Sequence, residues 1–169
     1  SDLAATGQVE LAELRHGSYR VDRGRAAFEI AGSRARGDAR LDLPGGGSFG
    51  AVFSGRVLDS VPTWELRNGE FSRVDFAARA GSDGPHTDLN GRFSASGSGR
   101  SLETGLTARA NLELGPSRVN RAELRDGALS LVLEREAFRG DVQLQGAGLA
   151  LASEFNGTLG AHSKSVRAT

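Results

Sequence analysis

The chain has no cysteine and no methionine, one tryptophan, one tyrosine and a single lysine, Lys164, in 169 residues. Without cysteine there is neither a disulfide nor a thiolate metal site, and the redox compartment is left open. The lack of methionine, even at position 1, reads as a chain that begins inside a longer protein. The strong preference for arginine over lysine reads as a genome-level bias without functional content. No run approaches the ~20 apolar residues of a membrane-spanning helix, and no signal-peptide core is present, so any anchor would lie outside this segment. Charge of one sign is also lacking: 21 Lys and Arg balance 21 Asp and Glu, for a formal net charge of +0. That balance argues against a nucleic-acid surface or a polybasic membrane contact.

Glycine is abundant instead, 24 of 169 residues, about twice the ordinary frequency. This argues against long helices and for many turns. The hydrophobic 38% is spaced with period two. Val9/Leu11, Tyr19/Val21, Phe28/Ile30, Leu41/Leu43, Phe49/Ala51/Phe53, Trp64/Leu66, Val74/Phe76/Ala78 and Leu89/Gly91/Phe93 follow one another. Leu106/Ala108/Ala110/Leu112/Leu114 is the clearest run, its intervening Thr107, Arg109, Asn111 and Glu113 all polar. Such alternation puts one face in an apolar setting and the other in water. Leu129/Leu131/Leu133, Val142/Leu144 and Leu149/Leu151 complete the pattern. Pro44-Gly45-Gly46-Gly47, Gly81 to Pro85, Arg139-Gly140, Gly146-Ala147-Gly148 and Asn156-Gly157 are the expected turns.

Roughly a dozen short strands result, an all-β protein. The stretch Ser130 to Phe138 also reads as a helix. Apolar parity shifts between Leu11 and Leu14 and between Phe71 and Val74, each implying a bulge or tight turn. A β domain over residues 7–160 is expected, with patternless ends at 1–6 and 161–169.

A motif recurs three times. Glu13-Leu14-Arg15-His16-Gly17-Ser18-Tyr19, Glu65-Leu66-Arg67-Asn68-Gly69-Glu70-Phe71 and Glu123-Leu124-Arg125-Asp126-Gly127-Ala128-Leu129 all read Glu-Leu-Arg-x-Gly-x-apolar, roughly 50–60 residues apart. His, Asn or Asp before Gly suits a two-residue type I′ turn. The motif therefore predicts three hairpins, at 13–19, 65–71 and 123–129. Leu14 would face Tyr19, Leu66 Phe71, and Leu124 Leu129, all on one continuous face, with an Arg67–Glu70 pair on the wet face.

Chemistry-bearing motifs are weak. Gly46-Gly47-Ser48-Phe49-Gly50 fits G-x-S-x-G, but a nucleophile elbow needs a helix after the serine, and a strand is expected there. Gly45 to Gly50 fits G-x-G-x-x-G with no helix to receive a pyrophosphate. A hydrolase acting through Ser48 is therefore discounted. His16, His86 and His162 show no metal-site spacing. Asp38, Asp42, Asp75 and Asp88 lie on polar faces or in loops, and Asn156-Gly157-Thr158 is first of all a turn. No enzyme activity, cofactor or metal is expected.

The apolar face remains. One reading makes it the sealed core of a closed β-sandwich or barrel, an interaction or adhesin-like module without ligand. The other follows from a resemblance. Asp88-Leu89-Asn90-Gly91-Arg92-Phe93-Ser94-Ala95-Ser96-Gly97-Ser98-Gly99, Leu112-Glu113-Leu114-Gly115-Pro116-Ser117-Arg118-Val119 and Ala122 to Leu129 succeed one another as a Leu-x-Gly strand, a Gly-x-Gly turn, a Leu-x-Leu strand, a Ser-bearing connector and a hairpin. From about Gly7 to Gly160 this resembles the repeats of the TamB/AsmA-like family, relatives of the bridge-like lipid-transfer proteins. No membrane anchor or end domain of the family is matched, as fits an internal segment.

The resemblance implies a curved, mostly antiparallel sheet forming a half-pipe whose apolar groove shields acyl chains in the periplasm, the parent being anchored in the inner membrane. Phospholipid or another acyl-chain lipid, neighbouring repeats of the parent chain and an outer-membrane barrel protein are the implied partners. The family offers no catalytic residues to carry over. The candidate groove residues are Leu14, Tyr19, Val21, Leu66, Phe71, Phe93, Leu112, Leu114, Leu124, Leu129, Leu131, Leu133, Val142 and Leu144.

Overall fold

The computed structural model describes residues 4–16, 19–75, 85–99, 105–160 and 163–168. In chain order the strands are β1 (Ala4–His16), β2 (Tyr19–Ala31), β3 (Arg34–Leu43), β4 (Gly47–Arg56), β5 (Thr63–Val74) and β6 (Thr87–Ser98). They continue as β7 (Thr107–Leu114), β8 (Ser117–Val119), β9 (Ala122–Glu134), β10 (Ala137–Gly146), β11 (Leu149–Gly160) and β12 (Ser163–Ala168). All belong to one antiparallel sheet, and each strand pairs with its predecessor in the chain except around β8, which pairs with β6 and β9 beside β7. Pro44–Gly46 forms a single 3₁₀ turn between β3 and β4. Ser130 to Phe138 contributes to β9 and β10, not to a helix.

The sheet is open and curved. Among the described residues β1 pairs only with β2 and β12 only with β11, so it is not a closed barrel, and no second sheet seals its apolar face as a sandwich would. Curvature shows in one groove lined by side chains from Val21 on β2 to Leu144 on β10.

Several expectations are corrected. The motif at 65–71 lies inside the continuous strand β5, and that at 123–129 inside β9, so neither is a hairpin. Asn68 does adopt the left-handed backbone its motif suggested, at φ 49°, but Gly69 does not join it. A type I′ turn needs both residues left-handed, whereas one alone gives a bulge. Pairing with β6 accordingly slips between Leu66 and Gly69, and pairing with β4 between Gly50 and Val52. In β9 the slip falls against Gln145/Gly146. Arg67 therefore bonds Glu65, not Glu70, with its Nη2 donating to Oε2 at 2.5 Å.

In the first copy Leu14 pairs with Val21 and His16 with Tyr19, which moves the connection to residues 17–18, outside those described. Neither Asn156-Gly157 nor Arg139-Gly140 is a turn: Arg139 pairs with Asn156, Gly140 with Phe155 and Gly157 with Phe138 in the ladder between β10 and β11. Both presumed ends also enter the sheet: Ala4–Thr6 begin β1, and Ser163–Ala168 form β12. Backbone pairing with a neighbour needs no apolar alternation, so composition alone missed these segments. The expected loop from Gly81 to Pro85 lies outside the described residues up to Gly84.

The two parity shifts have distinct forms. Arg73, at φ 51°, marks a register shift between Phe71 and Val74. Glu13, at φ 54°, reverses parity between Leu11 and Leu14 while the register with β2 holds.

Candidate functional site: an apolar groove paved with glycine and large side chains

Directly opposed residues of an antiparallel sheet share a face. Followed across the strands, one line reads Leu11, Gly24, Leu41, Phe49, Phe71, Gly91, Leu114, Gly127, Leu144, Leu151, without a polar residue from β1 to β11. A parallel line reads Gly7, Phe28, Gly37, Phe53, Leu66, Ala95, Ala110, Leu131, Gly140, Phe155. The reverse face reads Thr6, Glu29, Arg36, Ser54, Glu65, Ser96, Arg109, Val132, Arg139, Asn156, almost wholly polar. Here Arg36 bonds Glu29 at 2.7 Å and Arg92 lies 3.8 Å from Glu70. These pairs are solvated and add little stability. The hydrogen bond from Arg67 holds the Glu65 carboxyl below the usual carboxylate range.

The glycines have a use that composition did not show. Much of the glycine sits inside strands, beneath a large side chain from the next strand. A Cβ on Gly7 would lie 2.5 Å from Phe28 Cζ, one on Gly97 2.5 Å from Trp64 Cζ2, and one on Gly91 2.7 Å from Phe71 Cζ. Phe53 over Gly37, Phe93 over Gly69 and Phe155 over Gly140 repeat the arrangement. Large rings thus lie down on bare backbone, the cross-strand compensation that a glycine-containing strand needs. The face becomes apolar and smooth where standing rings would have filled it.

The groove lies along this face and encloses about 670 Å³. Of the sequence-predicted residues, Val21, Phe71, Phe93 and Leu112 line it, as do Leu114, Leu129, Val142 and Leu144. Leu66, Leu131 and Leu133 share the face by register but stand on lines nearer the other strand ends. Leu124 is buried at 5% exposure beyond the β9 bulge, paired with Ser117. Leu14 is half exposed on the edge strand, and the side chain of Tyr19 lies outside the described residues.

Five large apolar lining residues escaped the sequence reading of the groove: Leu41, Leu43, Phe49, Val74 and Leu89. Leu43, Phe71 and Val74 form the small buried cluster at its floor. Phe49 stacks on Phe93 with centroids 4.6 Å apart and planes at 23°, reaching past Phe71 of the intervening strand. A larger hollow of about 910 Å³ opens at the strand ends near Thr63 and Thr107, where Trp64, Ala108 and Leu133 alternate with Glu65, Ser96 and Arg109, so its wall is mixed and not a continuous apolar one.

A polar brace closes the floor. Asn90 Oδ1 accepts from Arg73 N at 3.0 Å and from Ser72 Oγ at 3.3 Å, while its Nδ2 donates to Pro116 O at 3.0 Å. Asn90 N donates to the buried Ser117 Oγ at 3.0 Å, and that hydroxyl donates to Gly115 O at 2.9 Å. One side chain thus ties the β5 bulge to the β7–β8 connector.

The other singled-out residues are dispersed. Ser48 pairs with Asp42 and Ser72 and is followed by strand, so the elbow geometry is missing. His86 Nδ1 lies 3.3 Å from Asp75 Oδ2, whose Oδ1 accepts from Thr87 N. The side chain of His16 and all of His162 are outside the described residues. Asp38 and Asp42 are exposed on β3, Asp42 lying 3.8 Å from Arg40, and Asp88 is exposed on β6. Among the described residues no three His, Cys, Asp or Glu side chains gather as a metal site, and no helix is long and apolar enough to cross a membrane. No protein-family model matches the chain, nor does any curated protein or solved structure.

Proposed function

We propose that this chain is a segment of a periplasmic intermembrane lipid-transport protein, with the groove shielding acyl chains while polar head groups remain in water. One observation carries the reading: an apolar face crossing the sheet from β1 to β11 that nothing among the described residues covers. Among the described residues only Leu43, Phe71, Val74 and Leu124 are buried hydrophobics, and no large side chain is fully enclosed. Val9, Leu11 and Leu151 on this face keep 44–46% of their surface. An exposed apolar strip of this extent marks a binding surface, since in an unliganded monomer it is a liability.

The chemistry suits acyl chains. The wall is aliphatic and aromatic, and about 0.8 kcal/mol accompanies each methylene taken out of water. The repeat resemblance supports the same setting and the same partners, phospholipid and adjoining repeats. A self-contained interaction module with a sealed core finds no second sheet to seal it among the described residues.

Native mass spectrometry of the purified protein tests this directly. Adducts of phospholipid or fatty-acid mass, carried from the cell or loaded from detergent, are expected. A protein that stays bare after both treatments would overturn the reading.

A further inference from the structure

The strands end differently at the two rims of the groove. At the ends bearing Leu43 and Val74 the groove meets the small buried cluster and the Asn90 brace. At the opposite ends its apolar side runs out to the rim. On the groove side, the last line of opposed residues there reads Ala35, Gly55, Trp64, Gly97, Ala108, Leu133 from β3 to β9, without a polar residue. The β4–β5 connection, residues 57–62, carries this surface further. Val57 N donates to Ser33 O at 2.8 Å, one step past the last β3–β4 pair, Arg34 with Arg56. Alternation therefore keeps Val57 on the groove side, with Gly55. Gly99 N donates to Pro62 O at 2.9 Å, so the connection is tied down at both ends. Between these ties Leu58 and Val61 are 62% and 59% exposed, more than any other large hydrophobic among the described residues. Arg34 and Arg56 stand opposite each other at the base of the loop, and Asp59 pairs with Arg56 at 2.8 Å. Two guanidiniums against one carboxylate leave that base net positive.

We propose that the β4–β5 loop docks on a phospholipid bilayer and is the place where acyl chains pass between bilayer and groove, with anionic head groups meeting Arg34. The inference rests on the groove holding acyl chains. A chain that leaves a bilayer for the groove needs an unbroken apolar path, because every methylene wetted on the way raises the barrier. Leu58, Val61 and Val57, followed by the line through Gly55 and Trp64, supply that path. Trp64 lies half-buried over Gly97 just inside the loop. An indole suits that position, since it favours the boundary between head groups and chains. The positive base of the loop matches the negative surface of an anionic bilayer. The loop is internal to the chain and is flanked on both sides by paired strands, so the argument does not depend on where the sequence begins or ends.

The full chain is expected to float with phosphatidylcholine vesicles containing about one-third phosphatidylglycerol, and to take lipid adducts from them that native mass spectrometry detects. The double variant Leu58→Ser/Val61→Ser should no longer float and should acquire vesicle lipid at least about tenfold more slowly, since it removes the most exposed apolar side chains of the loop. Its loading from detergent micelles, which needs no docking, should match the parent. Val52→Ser removes an aliphatic side chain 44% exposed on the wet face, opposite Asp38, and should change neither flotation nor loading. Circular dichroism should show the same β content in both variants. Vesicle loading by the double variant at the parental rate would overturn the proposal. So would a parent chain that loads from detergent but neither floats nor loads from vesicles; the loop would then be a seat for another protein. Flotation that the double variant abolishes, without adducts from either source, would remove the acyl-chain reading and leave the bilayer contact standing.

Discussion

Phe53 lies across Gly37, its Cζ 2.5 Å from where a Cβ on that glycine would stand. The same Cβ would collide with the carbonyl oxygen of Ala27 on the strand beyond. At Gly7 the nearest atoms are all at the far end of the Phe28 ring, which can swing away. The two glycines thus separate a ring contact from a backbone contact.

Gly37→Ala should therefore cost at least about 1–3 kcal/mol, the range for overpacking where backbone must move. At about 2–4 °C per kcal/mol for a chain of this size, thermal unfolding should fall by several degrees. Gly7→Ala should cost clearly less and leave the sheet intact. Equal melting temperatures for both variants and the parent would show that glycine is not required for the pavement.

Phe49 and Phe93 reach each other past Phe71. Stacked aromatic pairs couple by about 0.5–1.5 kcal/mol beyond their burial. A double-mutant cycle with Phe49→Leu and Phe93→Leu, followed by urea unfolding, should return a coupling in that range. Strict additivity would mean that the stack exerts no hold on the groove floor.

Asn90 serves three strands at once. Asn90→Ala leaves Arg73 N and Pro116 O without their partner, and about 1–3 kcal/mol is expected for groups so orphaned. Asn90→Asp keeps the acceptor for Arg73 N but cannot donate to Pro116 O, and should fall between. Hydrogen exchange should quicken at Arg73 in both, more so in the alanine variant.

Much of this architecture was legible in the sequence, and its limits have physical causes. Period-two alternation revealed a one-faced β protein because side-chain direction is a local property of a strand. The glycine–ring pairs were invisible because Gly37 and Phe53 meet only once β3 and β4 are in register. Asn68-Gly69 misled for a related reason: a hairpin and a bulge both ask for a left-handed residue, and what distinguishes them is whether the neighbouring strands continue past it. The groove list centred on the supposed hairpins, so it passed over Leu41 and Phe49, which stand on the same line as Phe71. Leu43 and Val74 escaped because a 3₁₀ turn and a bulge adjoin them. What the face is for rests on its being apolar and uncovered, together with the repeat resemblance.

Glu65 titrates under the influence of Arg67. In the folded chain its pKa should fall below the ordinary carboxylate value near about 4.3, and carboxyl NMR shifts should show it. Arg67→Gln should return it upward. Because the folded value is depressed, the associated stabilisation is present above the unfolded pKa and is lost as pH falls through the folded one. The pair stands in water, so acid should change the titration far more than the melting temperature. A Glu65 value untouched by Arg67→Gln would show the contact to be transient in solution.

Leu129 of β9 and Gln143 of β10 face opposite ways. Leu129 stands in the groove between Leu112 and Val142, whereas Gln143 is exposed between Ala128 and Ala152. A carboxylate at Leu129 would remove an apolar wall and place charge where a chain should lie, and a side chain of this size contributes about 1.5–3 kcal/mol when buried. Leu129→Glu is therefore expected to weaken binding of a fluorescent sixteen-carbon fatty acid by at least about tenfold, the equivalent of 1.4 kcal/mol. Gln143→Glu carries the same charge one strand away on the wet face and should leave affinity within about twofold. Circular dichroism should show the same β content in both, which separates loss of the site from loss of the fold. Equal losses in the two variants would mean that the probe binds elsewhere, and the groove would then be an apolar surface awaiting a different occupant.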